Sequence, residues 1–281
     1  MQIIGCDFSS SPSKRKPVVV ALSEEILDKN NSTPTYSLRC VLSKIERFES
    51  LPTFGDWLAT DRIWVGGFDL PFGLPRELVV TLQWPTDWHA CIRHYASLTR
   101  EEIRTAFKAF CDGRPVGGKF AHRAADVPAG SSSSMKWVNP PVAYMLHAGV
   151  PLLLNANCHF PGLHKGNASK VALEAYPGLL ARQIIGNRSY KSDDKQKQTP
   201  ERLIARKDIL TALETGQTRL KVRLKLSNVQ REQLIDDASG DSLDAALCML
   251  QAHWAYGKHL DGKKNYGLPK FDPLEGWIVT A

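Results

Sequence analysis

RIWVGGFDLPFG, residues 62–73, decides the fold. Ile63, Trp64 and Val65 open an apolar, β-favouring run, two glycines continue it, and Asp69 closes it just before Leu70 and Pro71. Proline has no N–H to give a sheet ladder, so the stretch predicts a strand that stops at its acid. Working outward, the same pattern stands at the start of the chain, where QIIGCDF (2–8) ends in Asp7. PVVVALS (17–23) and TYSLRCVLS (35–43) are two further short runs, separated by Ser/Pro/Lys and Asn/Ser/Thr turns. LPTFGDWLATD (51–61) predicts a short helix before the strand of residues 62–70. Three hairpin-linked strands, a helix and a fresh strand imply a mixed sheet, because a crossover helix returns the chain in parallel.

Beyond Pro71 the rhythm changes. REEIRTAFKAFCDG (100–113) and PVAYMLHAGVPLLLN (141–155) carry helical patterns, with the turn-rich VPAGSSSSMKWVNPP (127–141) between them. This predicts a helical or loop-rich lobe inserted at about 71–165 within a single domain of residues 1–281. KVALEAYPG (170–178) then reads as a buried strand with Glu174 late in it, and GLLARQIIG (178–186) as the following helix. NRSYKSDDKQKQTPE (187–201) is polar enough for an exposed loop. Thr199, Pro200 and Gly216 bracket a helix over 199–216. SNVQREQLIDDASG (227–240) and DSLDAALCMLQAHWAYGKHL (241–260) predict two more, and GWIVT (276–280) an edge strand.

Composition narrows the function classes. The chain has 281 residues, 43% hydrophobic and 23% charged, which suits a globule with a sizeable core. Its net charge of +7 favours an anionic partner. Six widely spaced cysteines without a CxxC pair read as reduced core thiols, hence a cytoplasmic protein. The opening MQIIGCDFSS does not read as a signal peptide, and no apolar run has the length of a membrane span, so no membrane partner is expected.

The acids carry the chemistry. If their strands are parallel and adjacent, Asp7, Asp69 and Glu174 gather at the carboxyl rim of the sheet, where open α/β sheets bind ligands. Asp7 and Asp69 also suit turns, where a carboxylate accepts backbone N–H bonds. Glu174, in an apolar strand, needs a metal or a basic partner, because a buried unpaired charge is costly. Asp241 and Asp244 open a helix whose apolar stripe comprises Leu243, Ala246, Leu247, Leu250 and Trp254, with Asp244 on its margin. A helix cap accounts for one acid, and the second is surplus to capping. Carboxylates that converge in this way offer the hard oxygen ligands that Mg²⁺ or Mn²⁺ takes.

The segments IIGCDFSS, WVGGFDLPFGLP, FAHRAAD, KWVNPPVAYMLHAGVPLL, LEAYPGLLAR, YKSD, GDSLDAALCMLQAHW and DPLEGWI resemble the family called domain of unknown function 429. That resemblance implies a ribonuclease H-like α/β fold: a mixed five-stranded sheet flanked by helices, with a large helical insertion between strands 4 and 5. Holliday-junction resolvases and transposases belong to the wider superfamily. It further implies metal-binding acids on the first strand, the fourth strand and a late helix, which are Asp7, Asp69, Asp241 and Asp244 here. Glu174 joins them as a catalytic candidate.

Arg123 and Lys191 are the candidate phosphate contacts, a guanidinium fork and a point charge, with a solvated surface charge as the alternative for each. SKRKP (13–17), RLKVRLK (219–225) and KHLDGKK (258–264) are basic enough to track a nucleic-acid backbone. Tyr190 and Trp137 suit either base stacking or the core, and Glu275 reaches the acids only if the tail folds back. The leading expectation is a divalent-metal nuclease acting on DNA or RNA. The alternatives are an ATP-using phosphotransferase or ATPase, which the glycine-free turn SSSPSKRKP after Asp7 disfavours, and a non-catalytic nucleic-acid-binding protein.

Overall fold

The computed structural model describes residues 1–25 and 38–281. Its centre is a seven-stranded mixed sheet flanked by helices, an α/β architecture. The strands are β1 (Gln2–Asp7), β2 (Val18–Ser23), β3 (Arg39–Phe48), β4 (Trp64–Asp69), β5 (Cys158–His159), β6 (Asn167–Glu174) and β7 (Arg223–Lys225), in the spatial order β5-β6-β4-β1-β2-β3-β7. Only β2 runs against its neighbours, while β1, β4 and β6 are parallel and adjacent. The sheet therefore exceeds the expected five strands. The two additions are the outermost pieces, β5 of two residues and β7 of three, too short to stand out as periodic runs. Residues 35–37 of the expected third strand lie outside the described residues, and the strand continues beyond residue 43 to Phe48.

Helices cover both faces. On one side lie α1 (Leu51–Ala59), α2 (Arg76–Thr81), α3 (Trp88–Ser97), α4 (Arg100–Asp112) and α6 (Val142–Asn155), with the four-residue α5 (Asp126–Ala129) near the rim. Their apolar residues join Ile4, Cys6, Phe68 and Ala172 in one core. On the other side, α7 (Pro177–Ile185), α8 (Pro200–Thr215), α9 (Asn228–Asp236) and α10 (Asp241–Leu260) share a second core with Ile3, Val65, Val171 and Leu173. Local signals set the ends of these helices. Thr99 and Glu102 close a capping box on α4, and Ser227 and Gln230 another on α9. All six cysteines are buried and unpaired. Among the described residues no helix is long and apolar enough to cross a membrane.

Helix α10 positions the site. It lies directly on β1 and β4, whose glycines leave room for its backbone. A Cβ on Gly5 would collide with the backbone of Ala245 and Met249, and one on Gly67 with the carbonyl of Cys248. The helix is not one-sided as its stripe suggested. Fifteen of its 20 residues are buried, because sheet, helices and C-terminal tail enclose it. The tail itself is not an edge strand. Val279 N–H donates to the Glu174 carbonyl at 2.8 Å, but left-handed backbone at Thr280 (φ 72°) turns the chain before a ladder forms.

Candidate active site

Strand parity decides which acids meet. Asp7 pairs in register with Asp69, whereas Glu174 pairs with Phe68. Successive side chains on a strand face opposite ways. The pleat that sets Gly5 and Gly67 against α10 therefore aims Asp7 and Asp69, two residues further on, at the start of that helix. Neighbouring strands stand about 4.8 Å apart, so these two carboxylates are immediate neighbours. Glu174, one residue out of phase, faces the inserted lobe.

The first turn of α10 completes the group. Gly240 is its N-cap residue and contributes no side chain. Capping falls instead to Asp237, whose Oδ2 accepts from Ser242 N–H at 2.9 Å. Burial alone would raise the Asp237 carboxyl, yet hydrogen bonds from Ser239 and Ser242 hold it down to about 2. Asp241 and Asp244 are thus released from the capping role that competed with a site. They are 2% and 0% exposed, and Asp7 is 8% exposed. Lys16 Nζ donates to Asp241 Oδ1 at 2.7 Å and to Asp193 Oδ1 at 3.0 Å. Tyr190 Oη donates to Asp244 Oδ1 at 2.5 Å, and Lys191 pairs with Asp244 Oδ2.

Electrostatics single out Asp7 and Asp69. Among the described residues no donor hydrogen-bonds to either carboxylate. Burial, then Asp244, drives Asp7 well above the usual carboxylate range. The same two causes push Asp69 up to about 7, with Lys191 opposing. Asp244 is also raised, by burial, despite Lys191 and Tyr190. Burial alone would lower Lys191, yet Asp244 more than offsets it and the ammonium stays charged. The cluster holds more negative charge than its two lysines neutralise, as the raised carboxyls record.

In donor type and charge this set fits a hard divalent cation. The geometry is open rather than closed. Among the described residues no group of three or more Asp, Glu, His or Cys side chains stands ready to hold a metal, because Asp241 and Asp244 turn their oxygens to lysine and tyrosine. Asp7 and Asp69 are the pair with oxygens to spare.

Two expectations are corrected. Arg123 does not offer its fork to a phosphate. It is 2% exposed, and all five of its N–H bonds are taken by Asp126, Glu174 and the Glu275 carbonyl at 2.6–3.1 Å. Glu174, in turn, gives both oxygens to Arg123, and Oε2 also accepts from Phe72 N–H at 2.9 Å. Its basic partner answers the need for charge neutralisation, so it braces the lobe against the sheet rather than joining the α10 cluster. Glu275 arrives with the folded-back tail but stays on that lobe side, accepting from Arg76 and Ala124 N–H. Lys191 does stand beside the acids. Trp137 packs against Phe107 and Phe120. Of the basic runs, only SKRKP reaches the rim, through Lys16. RLKVRLK contributes β7 at the sheet edge, and KHLDGKK sits at the far end of α10, about 30 Å away for 20 residues. The residues that local reading missed are Lys16 and Tyr190 as partners of the acids and Asp237 as the cap. Lys16 lies in a run noted for charge, Tyr190 is noted for its ring and Asp237 lies in a run read only as a helix, without a signal of what each would touch.

Asp7, Asp69, Lys16 and Lys191 line a cavity of about 860 Å³ between the sheet rim and the lobe. A shallower depression of about 830 Å³ between β3 and α9 has no buried carboxylate pair at its base. The chain matches no protein-family model, no curated protein and no solved structure.

Proposed function

We propose that the chain is a nuclease that uses Mg²⁺ or Mn²⁺ to hydrolyse phosphodiester bonds of DNA or RNA. One observation carries this reading. Asp7 is buried and Asp69 half-buried, the two stand in register on adjacent parallel strands, and both lack any described hydrogen-bond donor, beside Asp244 on a helix N-terminus. Two such carboxylates are costly to maintain unless a cation joins them. The ribonuclease H-like fold and the resemblance to domain of unknown function 429 belong to the same proposal. They are supported by acids on the first strand, the fourth strand and a late helix that share one rim.

In this reading Asp7 and Asp69 would hold the cation, with Asp244 and Asp241 as the further oxygen donors beside them. The ion, when bound, supplies Lewis-acid charge at the phosphate and a water nucleophile at neutral pH. Lys191 and Lys16, which line the same cavity, would offer their ammonium groups to phosphate oxygens. Tyr190, hydrogen-bonded to Asp244, fixes that carboxylate's orientation. The Arg123–Glu174 pair keeps the lobe in place over the cavity.

The test is incubation of the full chain with labelled single- and double-stranded DNA, RNA and branched junctions in Mg²⁺ or Mn²⁺. Cation-dependent cleavage is expected, reduced at least about a hundredfold in Asp7→Asn and Asp244→Asn. Hydrolysis of ATP with no action on nucleic acid overturns the proposal, and so does binding without cleavage in every cation tried.

A further inference from the structure

Resting on that reading, we propose that the cavity admits the end of a single nucleic-acid strand rather than a duplex, with Tyr144 and Tyr176 as its base platforms. Depth is the first argument. Asp7 is 8% exposed and Asp244 fully buried, beneath a cavity of about 860 Å³. That volume is the scale of one drug-sized ligand, enough for a nucleotide or two. A duplex holds its bases stacked inside two backbones and has no way to lower one phosphate into such a recess. A strand with free bases does.

The lining is the second argument. The Arg100 guanidinium lies 4.9 Å from the centroid of the Tyr144 ring, and that of Arg182 lies 5.4 Å from the Tyr176 ring. Each guanidinium is fixed by a backbone carbonyl. Arg100 Nη2 donates to Ser10 O at 2.7 Å, and Arg182 Nη2 to Ala129 O. Their remaining N–H groups have no partner among the described residues, so they are free to meet phosphate or base edges. The tyrosines are half-buried and the arginines exposed, which gives each pair a fixed ring and a solvent-facing charge. Tyr176 follows the end of β6 on the sheet side, while Tyr144 stands in the first turn of α6 on the lobe side. Both tyrosines line the cavity, so a strand entering it meets two ring–guanidinium platforms, and stacking on such a platform tolerates any base. Along the whole lining six basic residues outnumber four acids, which suits a polyanion that ends at a carboxylate cluster.

The measurement is fluorescence anisotropy of the full chain in chelator, so that no cleavage intervenes. The probes are labelled oligothymidine and oligouridine of about eight nucleotides, a blunt hairpin duplex, and thymidine monophosphate as competitor. Both oligomers are expected to bind at least about tenfold more tightly than the hairpin or the mononucleotide, and the ratio between them reports whether the sugar matters. Tyr144→Ala and Tyr176→Ala are expected to weaken binding about tenfold each, and Tyr176→Phe to restore it. Arg100→Gln, at an exposed position, serves as a second probe and should weaken binding several-fold. Equal affinity for the hairpin or the mononucleotide overturns the inference, as does unchanged strand binding in Arg100→Gln and in whichever alanine variant stays folded. Equal cleavage of hairpin and strand in Mn²⁺ overturns this inference and leaves the nuclease standing. Strand binding in chelator without cleavage in any cation does the reverse.

Discussion

At Asp69, burial and the neighbouring Asp244 push the carboxyl up to about 7, against 3.8 for an ordinary aspartate. The folded chain therefore retains a proton that the unfolded chain has released, and stability falls as pH rises from about 4 to about 7. Asp69→Asn removes this penalty. In chelator the variant should match the parent near pH 4 and gain on it through pH 7, by on the order of 1–2 kcal/mol, then hold that lead above. Thermal melts across this range check it, and a lead that is already complete at pH 4 would be the wrong sign of dependence. Arg123 is the opposite case, a charge whose partners need it. Arg123→Met leaves Glu174 and Asp126 buried without their cation and should cost about 3–5 kcal/mol in urea denaturation. A cost below about 1 kcal/mol would show that water replaces the guanidinium at no loss.

Among the elements, α10 depends on bare backbone beneath it. Gly67→Ala sets a methyl group against the Cys248 carbonyl and should destabilise by about 1–3 kcal/mol, since helix or strand must shift. The same shift withdraws Asp244 from Asp69, so divalent-ion affinity should fall with stability in that variant, read by isothermal calorimetry. The N-terminus of α10 tests a separate contact. Asp237→Ala loses the bond to Ser242 N–H and should cost about 1 kcal/mol while leaving ion binding intact, because Asp237 takes no part in the cluster. Strong loss of ion binding in this variant would mean that the cap also holds Asp241 and Asp244 in place.

Across the whole molecule, sheet rim, helix terminus and Lys16 loop bring one excess of negative charge together. A cation that relieves it should raise the melting temperature with the logarithm of its concentration above the dissociation constant, as any ligand of the native state does. It must also expel protons held on the raised carboxyls. Mn²⁺ titrations in buffers of differing ionisation enthalpy should report proton release near pH 6 that declines as the pH rises through about 7, where Asp69 ionises without the ion. Asp7→Asn and Asp69→Asn should abolish both effects. A thermal shift that persists in both variants would locate the ion elsewhere.

Much of this was legible along the chain. The strands ending at Asp7, Asp69 and Glu174, and the helices over 100–112, 142–155 and 241–260, follow from local alternation, prolines and caps, which act within a few residues. The strand that failed, GWIVT, has the right side chains and one bond to β6, but its backbone turns away at Thr280 before a ladder can form. Which acids meet was not legible, because it depends on register between strands a hundred residues apart. Pairing Glu174 with Phe68 instead of Asp69 moved one carboxylate to the opposite face and handed it to Arg123. The amino-acid order by itself determined that acids close the parallel strands and open the last helix. Only tertiary structure decided that Asp7, Asp69, Asp241 and Asp244 share one side with Lys16 and Lys191, since side-chain direction in a sheet is set by pairing.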